Sequence, residues 1–279
     1  MHALFWLAAL LPTAAAERLV AVGDLHGDLD NALAVLQLAG VVDATGRWSG
    51  GSATLVQTGD VTDRGPDSKA LIELLARLEG EARAAGGRVV ALNGNHELMN
   101  LMGDLRYVDP GDTAAFGGPA ARAHAFSEKG AVGQRLRELG NVARVDGTVF
   151  CHGGVTPQYA SMGIEGINAL AASTIAGEVP ASAMGSESPI WFRGYVTEPE
   201  EQACPLLAEA LGTLGAERMV VGHTTQRTGR VLSRCQGRLL VIDVGIADHY
   251  GGHLAAVELV EGDARALYVE GPQDLPDPP

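Results

Sequence analysis

Between residues 18 and 94, three apolar runs, RLVAVG, ATLVQTG and RVVALNG, alternate with segments of helical periodicity. The first spacer puts Leu29, Leu33 and Leu36 on one face, and the second, DSKALIELLARLEGEARAAG, is a long amphipathic pattern. Short strands separated by helices of this length imply βαβ units and a parallel sheet, an α/β chain. The second half changes character. TVFCHGG, RMVVGHT, GRVLSRC, GRLLVIDVG, HLAAVELV and RALYVE follow one another with few helices between them, which predicts a second, mixed or antiparallel sheet packed on the first. Residues 97–145 and 155–190, rich in Gly, Ala, Pro and Met, read as less regular inserts above the strand ends. At 279 residues and 46% apolar composition the chain can bury one large core, expected over residues 17–270, with a disordered tail at 271–279.

What ends each run matters more than the run itself. The first ends in Asp24 and His26, the second in Asp60, Asp63 and Arg64, the third in Asn95, His96 and Glu97. Later ones end in His152, His223 and Asp243. In parallel α/β sheets, ligands gather outside the carboxyl ends of the strands. One strand ending in Asp is ordinary turn chemistry, whereas several ending in oxygen and imidazole donors beside Gly describe a site. Asp24 and His26, at i and i+2, would share one side of an extended segment. A calcium loop is excluded, because DLHGDL has its Gly at the fourth position instead of the sixth. Asp28 or Asp30 is expected to cap the following helix. The donor set lacks thiolate and suits manganese, iron or zinc better than calcium. Cys151, adjacent to His152 on a strand, should point away from it and pack.

Charge and the N-terminus narrow the partners and place. The formal charge of −14 speaks against nucleic acid. ALFWLAALL is too short to span a bilayer, and Ala14–Ala16 resembles a cleavage site, so residues 1–16 read as a signal peptide and the chain as periplasmic or secreted. A misassigned start codon would make it cytoplasmic, and a buried N-terminal helix is the other reading. No Cys follows the small residues and no later segment is long and apolar enough to anchor in a membrane. A monomer is expected. Three cysteines allow one pair in an oxidising compartment, with Cys204 and Cys235 as candidates, or three reduced thiols.

GDLHG, GDVTDRG, GNHE, HGG, WFRGY and GHT occur in the order seen in the phosphoprotein phosphatase branch of the calcineurin-like metallophosphoesterases. GDVTDRGPDS, GNHELMNLMGDLRYV, WFRGY, VVGHT and IDVG resemble, more narrowly, the Shewanella-like protein phosphatases, over about residues 18–260. The resemblance implies a four-layer α/β/β/α sandwich and two divalent metal ions. Asp24 and His26 would bind one, Asn95, His152 and His223 the other, and Asp60 both. Arg64 and Arg193, with Asn95, would hold phosphate oxygens, and His96 would be the proton donor, oriented by Asp63. These roles suit phosphomonoester hydrolysis. Paired cations can activate a shared hydroxide, arginines bind a dianion bidentately, and an alkoxide leaving group needs a proton.

The substrate so implied is a phosphorylated protein or a small phosphomonoester. Thr62 stands where many relatives have Val, a change expected to cost little. The C-terminal segment that brings a cleft tyrosine to the eukaryotic enzymes is replaced by VIDVGIADHYGG, where Tyr250 is the one available substitute. Glu97 is expected to support the ligands instead of binding metal, and His124, His249 and His253 have no motif support. Two rival functions remain: a nucleotide or dinucleoside-polyphosphate hydrolase, and a non-catalytic metal- and phosphate-binding protein.

Overall fold

A computed structural model describes residues 18–279, so the expected leader at 1–16 lies outside the described residues. Strands β1 (Arg18–Val22), β2 (Thr54–Gln57) and β3 (Arg88–Ala91) lie side by side and parallel. The crossovers between them are helices Leu29–Leu38 and Ser68–Ala84. Asp28 caps the first of these, its Oδ1 accepting from the Asn31 N–H at 3.0 Å. The second buries Leu71, Leu75, Leu78 and Ala82 along one stripe.

The second sheet contains β4 (Val142–Val145), β5 (Thr148–Cys151), β6 (Arg218–Val221), β7 (Leu232–Arg234) and β8 (Leu239–Val241), in the order β4-β5-β6-β8-β7. Its inner face, with Phe150, Val220 and Leu240, packs between the sheets in one core with Leu19, Ala21 and Val56, which share a face of the first sheet. Its outer face, with Val149, Cys151, Met219 and Val221, packs under helices Gly163–Ile175 and Glu200–Leu214. The alternation puts Phe150 inward and Cys151 outward, so Cys151 is a buried packing group, as its neighbour requires. The layers are α/β/β/α.

Four expectations change. HLAAVELV and RALYVE do not join the second sheet. As β9 (Ala255–Val260) and β10 (Asp263–Tyr268) they return to the first, where β9 pairs antiparallel with the free edge of β1. An apolar edge strand needs a partner, and nearness in sequence does not choose it. The tail expected to be disordered begins with β11 (Gly271–Asp274), paired with β10. Beyond it, the Asp277 carboxylate accepts from Arg218 Nη2 at 2.9 Å and the Ala264 N–H at 3.0 Å. Polar contacts hold this segment, which is why hydrophobic pattern misses it. The stretch 97–145 is mostly helical (Asn95–Leu101, Pro110–Ala115, Pro119–Phe126, Ala131–Glu138) and ends in β4. In 155–190, helix Gly163–Ile175 dominates.

Candidate active site

The two sheets meet at the carboxyl ends of β1, β2, β5, β6 and β8, and two glycines let them approach. A Cβ on Gly23 would lie 2.5 Å from the Ile242 carbonyl oxygen at the end of β8, and one on Gly222 would collide with the Asp24 carboxylate. Asp24, His26, Asp60, Asn95, His96, His152 and His223 converge in this seam, none more than 5% exposed. The backbone reaches it at a cost. His26 (φ 43°), Asp60 (55°), Asp63 (71°), Arg64 (71°) and His223 (65°) all adopt the left-handed region, roughly 1–3 kcal/mol of strain each for a side-chain-bearing residue. His26 therefore turns toward Asp24 through a tight bend and not along an extended segment.

Asp60 is the centre. Its Oδ2 lies 3.1 Å from His152 Nε2, 3.7 Å from His26 Nε2 and 3.8 Å from His96 Nε2. Asn95 Oδ1 is 3.0 Å from His152 Nε2. Asp24 sits between the two groups, 3.8 Å from His26 Nε2 and 3.9 Å from His152 Nδ1, and both its oxygens accept from the His223 N–H at 3.2 Å. Donor atoms of Asp60, His26 and His96 lie within 4.8 Å of one another, as do those of Asp60, His152 and His223.

The electrostatics ask for cations. Burial, with Asp243 and Asp60 nearby, pushes the Asp24 carboxyl well above its usual range. Burial also raises Asp243. Asp60 is held well below its usual range despite burial, by His152 and His96. Burial drops His26 to about 3 and His223 to about 2, which keeps both imidazoles neutral and free to donate lone pairs. Crowded buried carboxylates beside neutral imidazoles are a fit donor set for divalent metal, with Asp60 common to two clusters.

Against this geometry, the comparisons agree. Residues 17–226 match the family model described as calcineurin-like phosphoesterase. Shewanella-like protein phosphatase 2 of Arabidopsis thaliana is 34% identical over 91% of this chain and 77% of its own length. The chain is a calcineurin-like phosphoesterase of the Shewanella-like group. An uncharacterized protein of Schizosaccharomyces pombe is 40% identical over 88% of this chain and 78% of its own. Among solved structures, a cold-active protein-tyrosine phosphatase of a psychrophilic Shewanella species superposes with a TM-score of 0.82 at 28% identity, covering 94% of this chain and 81% of the other. A serine/threonine phosphatase of Saccharomyces cerevisiae shares the fold, with a TM-score of 0.61 at 15% identity over 89% of this chain and 74% of its own. The family works with divalent metal ions.

In this phosphoesterase the remaining site residues surround a cleft of about 180 Å³ lined by His26, Asp60, Arg64, Asn95, His96, Arg193 and His223. His96 Nδ1 pairs with Asp63 Oδ2 at 2.7 Å. Burial lowers the His96 imidazole, but Asp60 and then Asp63 outweigh it and the net direction is upward. Arg64 stacks on Tyr107, 4.0 Å from the ring centre, with a buried Nε that has no partner among the described residues. Arg193 Nη1 donates to the His223 carbonyl at 2.6 Å. Glu97 binds nothing in the cleft. Its carboxylate accepts from the N–H groups of Asp60, Val61, Thr62 and Gly94 and from the Thr62 hydroxyl, at 2.8–2.9 Å. Thr62, expected to be inconsequential, is therefore part of the frame under Asp60.

Tyr250 does line the cleft, its ring 4.9 Å from that of His26. Tyr107, Trp191 and Thr225 also line it, and no sequence signal marks them apart from their place beside WFRGY, GHT and GDLRYV. Asp243 is buried behind the seam, its Oδ1 accepting from the Gly245 N–H at 3.1 Å. His124, His249 and His253 lie outside the cleft lining.

Proposed function

We propose that this phosphoesterase is a binuclear metallophosphatase that hydrolyses phosphomonoesters on proteins, with manganese as its metal. The observation that carries the reading is Asp60. One buried carboxylate belongs to two donor clusters, and two arginines open onto the same small cleft. Asp24, His26 and Asp60 would hold one ion, and Asp60, Asn95, His152 and His223 the other. Bound metal supplies the Lewis acidity that lowers the pKa of water and neutralises phosphoryl oxygens. Arg64 and Arg193, with the Asn95 amide, bind the phosphate, and Arg64's unpartnered Nε is a donor available to it. The water oxygen forms the new bond to phosphorus, the bond to the leaving oxygen breaks, and that oxygen takes the proton from His96 Nε2. Alcohol and inorganic phosphate leave, and His96 regains its proton from solvent.

A protein substrate is supported by the relatives named as protein phosphatases and by an open, largely apolar cavity of about 460 Å³ beside the cleft. Trp191, Phe192, Tyr195 and Leu206 line it, and it shares Arg193 with the cleft. Export is supported by the leader at 1–16 and by the bonded pair Cys204–Cys235, which belongs to an oxidising compartment.

Phosphate release by the chain from Glu17 onward tests this reading. Matched phosphotyrosine and phosphoserine peptides, dinucleoside polyphosphates and sugar phosphates are supplied with manganese. Release from the peptides, abolished by a chelator and restored best by manganese, is expected. Release from small metabolites alone would overturn the protein substrate.

A further inference from the structure

Asp63 is fully buried and faces two ways. Its Oδ2 meets His96 Nδ1 at 2.7 Å, and its Oδ1 accepts from Asn100 Nδ2 at 2.9 Å. On the Oδ1 side, 4.0 Å away, stands Arg122 Nη2. Arg122 comes from helix Pro119–Phe126, in a stretch where the sequence offers no motif, and it is 3% exposed. Its Nε donates to Asp112 Oδ2 at 2.8 Å, and its guanidinium lies 4.3 Å from the centre of the Phe126 ring and 5.6 Å from that of Phe116. Ser68, whose Oγ accepts from the Asp63 N–H at 3.2 Å, is buried in the same wall.

A buried Arg–Asp pair is a poor way to gain stability, since apolar side chains of similar volume often do as well or better. The shelf of Phe116 and Phe126 would pack a Met or Leu. Among the described residues, Arg122 Nη2 and Asp112 Oδ1 also have no hydrogen-bond partner. Charged groups left partly unmatched in a dry wall are costly and call for a function. What a guanidinium adds here is a positive charge behind Asp63, opposite His96.

We propose that Arg122, anchored by Asp112, is a positioning residue that holds the Asp63 carboxylate turned toward His96 Nδ1, so that His96 Nε2 presents its proton to the leaving-group oxygen. Helices Pro110–Ala115 and Pro119–Phe126 are thus part of the proton-donating apparatus although neither touches the cleft. The inference rests on His96 as the proton donor. Its signature is leaving-group dependence: an alkoxide needs the proton, and a nitrophenolate barely does.

The test compares kcat on a phosphoserine peptide with kcat on p-nitrophenyl phosphate for Arg122→Met, Arg122→Lys and His96→Asn, with metal content measured on each. Arg122→Met, which keeps the apolar stem on its shelf, should lower the alkyl-to-aryl ratio about 10-fold at unchanged KM and metal content. Arg122→Lys should recover part of that loss. In the His96→Asn background Arg122→Met should add nothing, because both act through one proton. If His96→Asn leaves the ratio unchanged, the assignment of His96 fails and this inference with it. If His96→Asn lowers the ratio but folded Arg122→Met and Arg122→Lys do not, the Arg122 inference alone is overturned. Should Arg122→Met not fold, Asp112→Asn supplies the same comparison, and an unchanged ratio there also overturns it.

Discussion

Five donors converge on Glu97 and fix its carboxylate in place beneath Asp60. Burial and then the charge of Asp60 push its carboxyl upward, while the donors from Gly94 and Thr62 oppose them. Glu97→Gln keeps the shape but turns an amide NH2 against N–H groups. It should cost roughly 2–4 kcal/mol in urea denaturation and weaken metal uptake, whereas His96→Asn should leave metal content unchanged. Thr62→Val deletes one hydroxyl donor to the same carboxylate and should cost about 1 kcal/mol. A loss within error would show that the backbone donors suffice. At this scale the sequence was informative where chemistry repeats at strand ends: Asp24, His26, Asp60, Asn95, His96, His152 and His223 all enter one seam. It assigned no role to Tyr107 or Trp191, although both lie inside the resembling motifs GNHELMNLMGDLRYV and WFRGY, and it was silent on Arg122. Their side chains reach the site from loops and a helix whose position is set by packing, which a motif does not give. The contact of Thr62 with Glu97 was not legible because only the fold brings Glu97 beneath it.

The elements that carry the site differ in how they are secured. The segment with Arg193 is fastened from behind. Arg234 Nη1 donates to the Tyr195 and Val196 carbonyls at 2.6 Å, and Nη2 to the Glu198 carbonyl at 2.7 Å. The next residue, Cys235, is bonded to Cys204 in helix Glu200–Leu214, closing a loop with a separation of 31 residues. By loop-closure entropy this cross-link is worth about 3–4 kcal/mol, so reduction should lower the unfolding midpoint, and the Cys204→Ser/Cys235→Ser double variant should match the reduced protein. Thiol counting gives a second check. Cys151 is buried with its thiol pushed upward by burial, so a thiol reagent should find none in the native protein, one after unfolding and three after unfolding with reduction. More than one after unfolding alone would mean the pair is not bonded. Helices and the parallel strands were legible because their periods are strong. The destination of β9 and β10 was not, since alternation tells which face of a strand is buried and not which strand lies beside it.

For the molecule as a whole, the seam ties metal to stability. Without cations, Asp24, Asp60 and Asp243 crowd one dry region, and ligands that bind only the folded state stabilise it by mass action. Manganese should therefore raise the melting temperature of the chelated protein in a concentration-dependent way. Asp60→Asn, which removes the charge common to both clusters, should abolish most of that rise. An equal rise in that variant would place the ion elsewhere. The four-layer architecture follows from the family and from two runs of strands. The ordered C-terminus did not, because polar pairs hold it.

That C-terminus has a further consequence. β1 is hydrogen-bonded on one side to β2, near in sequence, and on the other to β9, with Arg18 Nε reaching Glu258 at 2.6 Å across 240 residues. During synthesis β1 thus waits with an open, apolar edge until β9 has been made. A ribosome stalled before residue 255 would hold a half-built sheet with no partner for that edge, prone to stick to its neighbours. Completion of the first sheet therefore waits for β9, so this sheet does not close in the order in which its strands are translated.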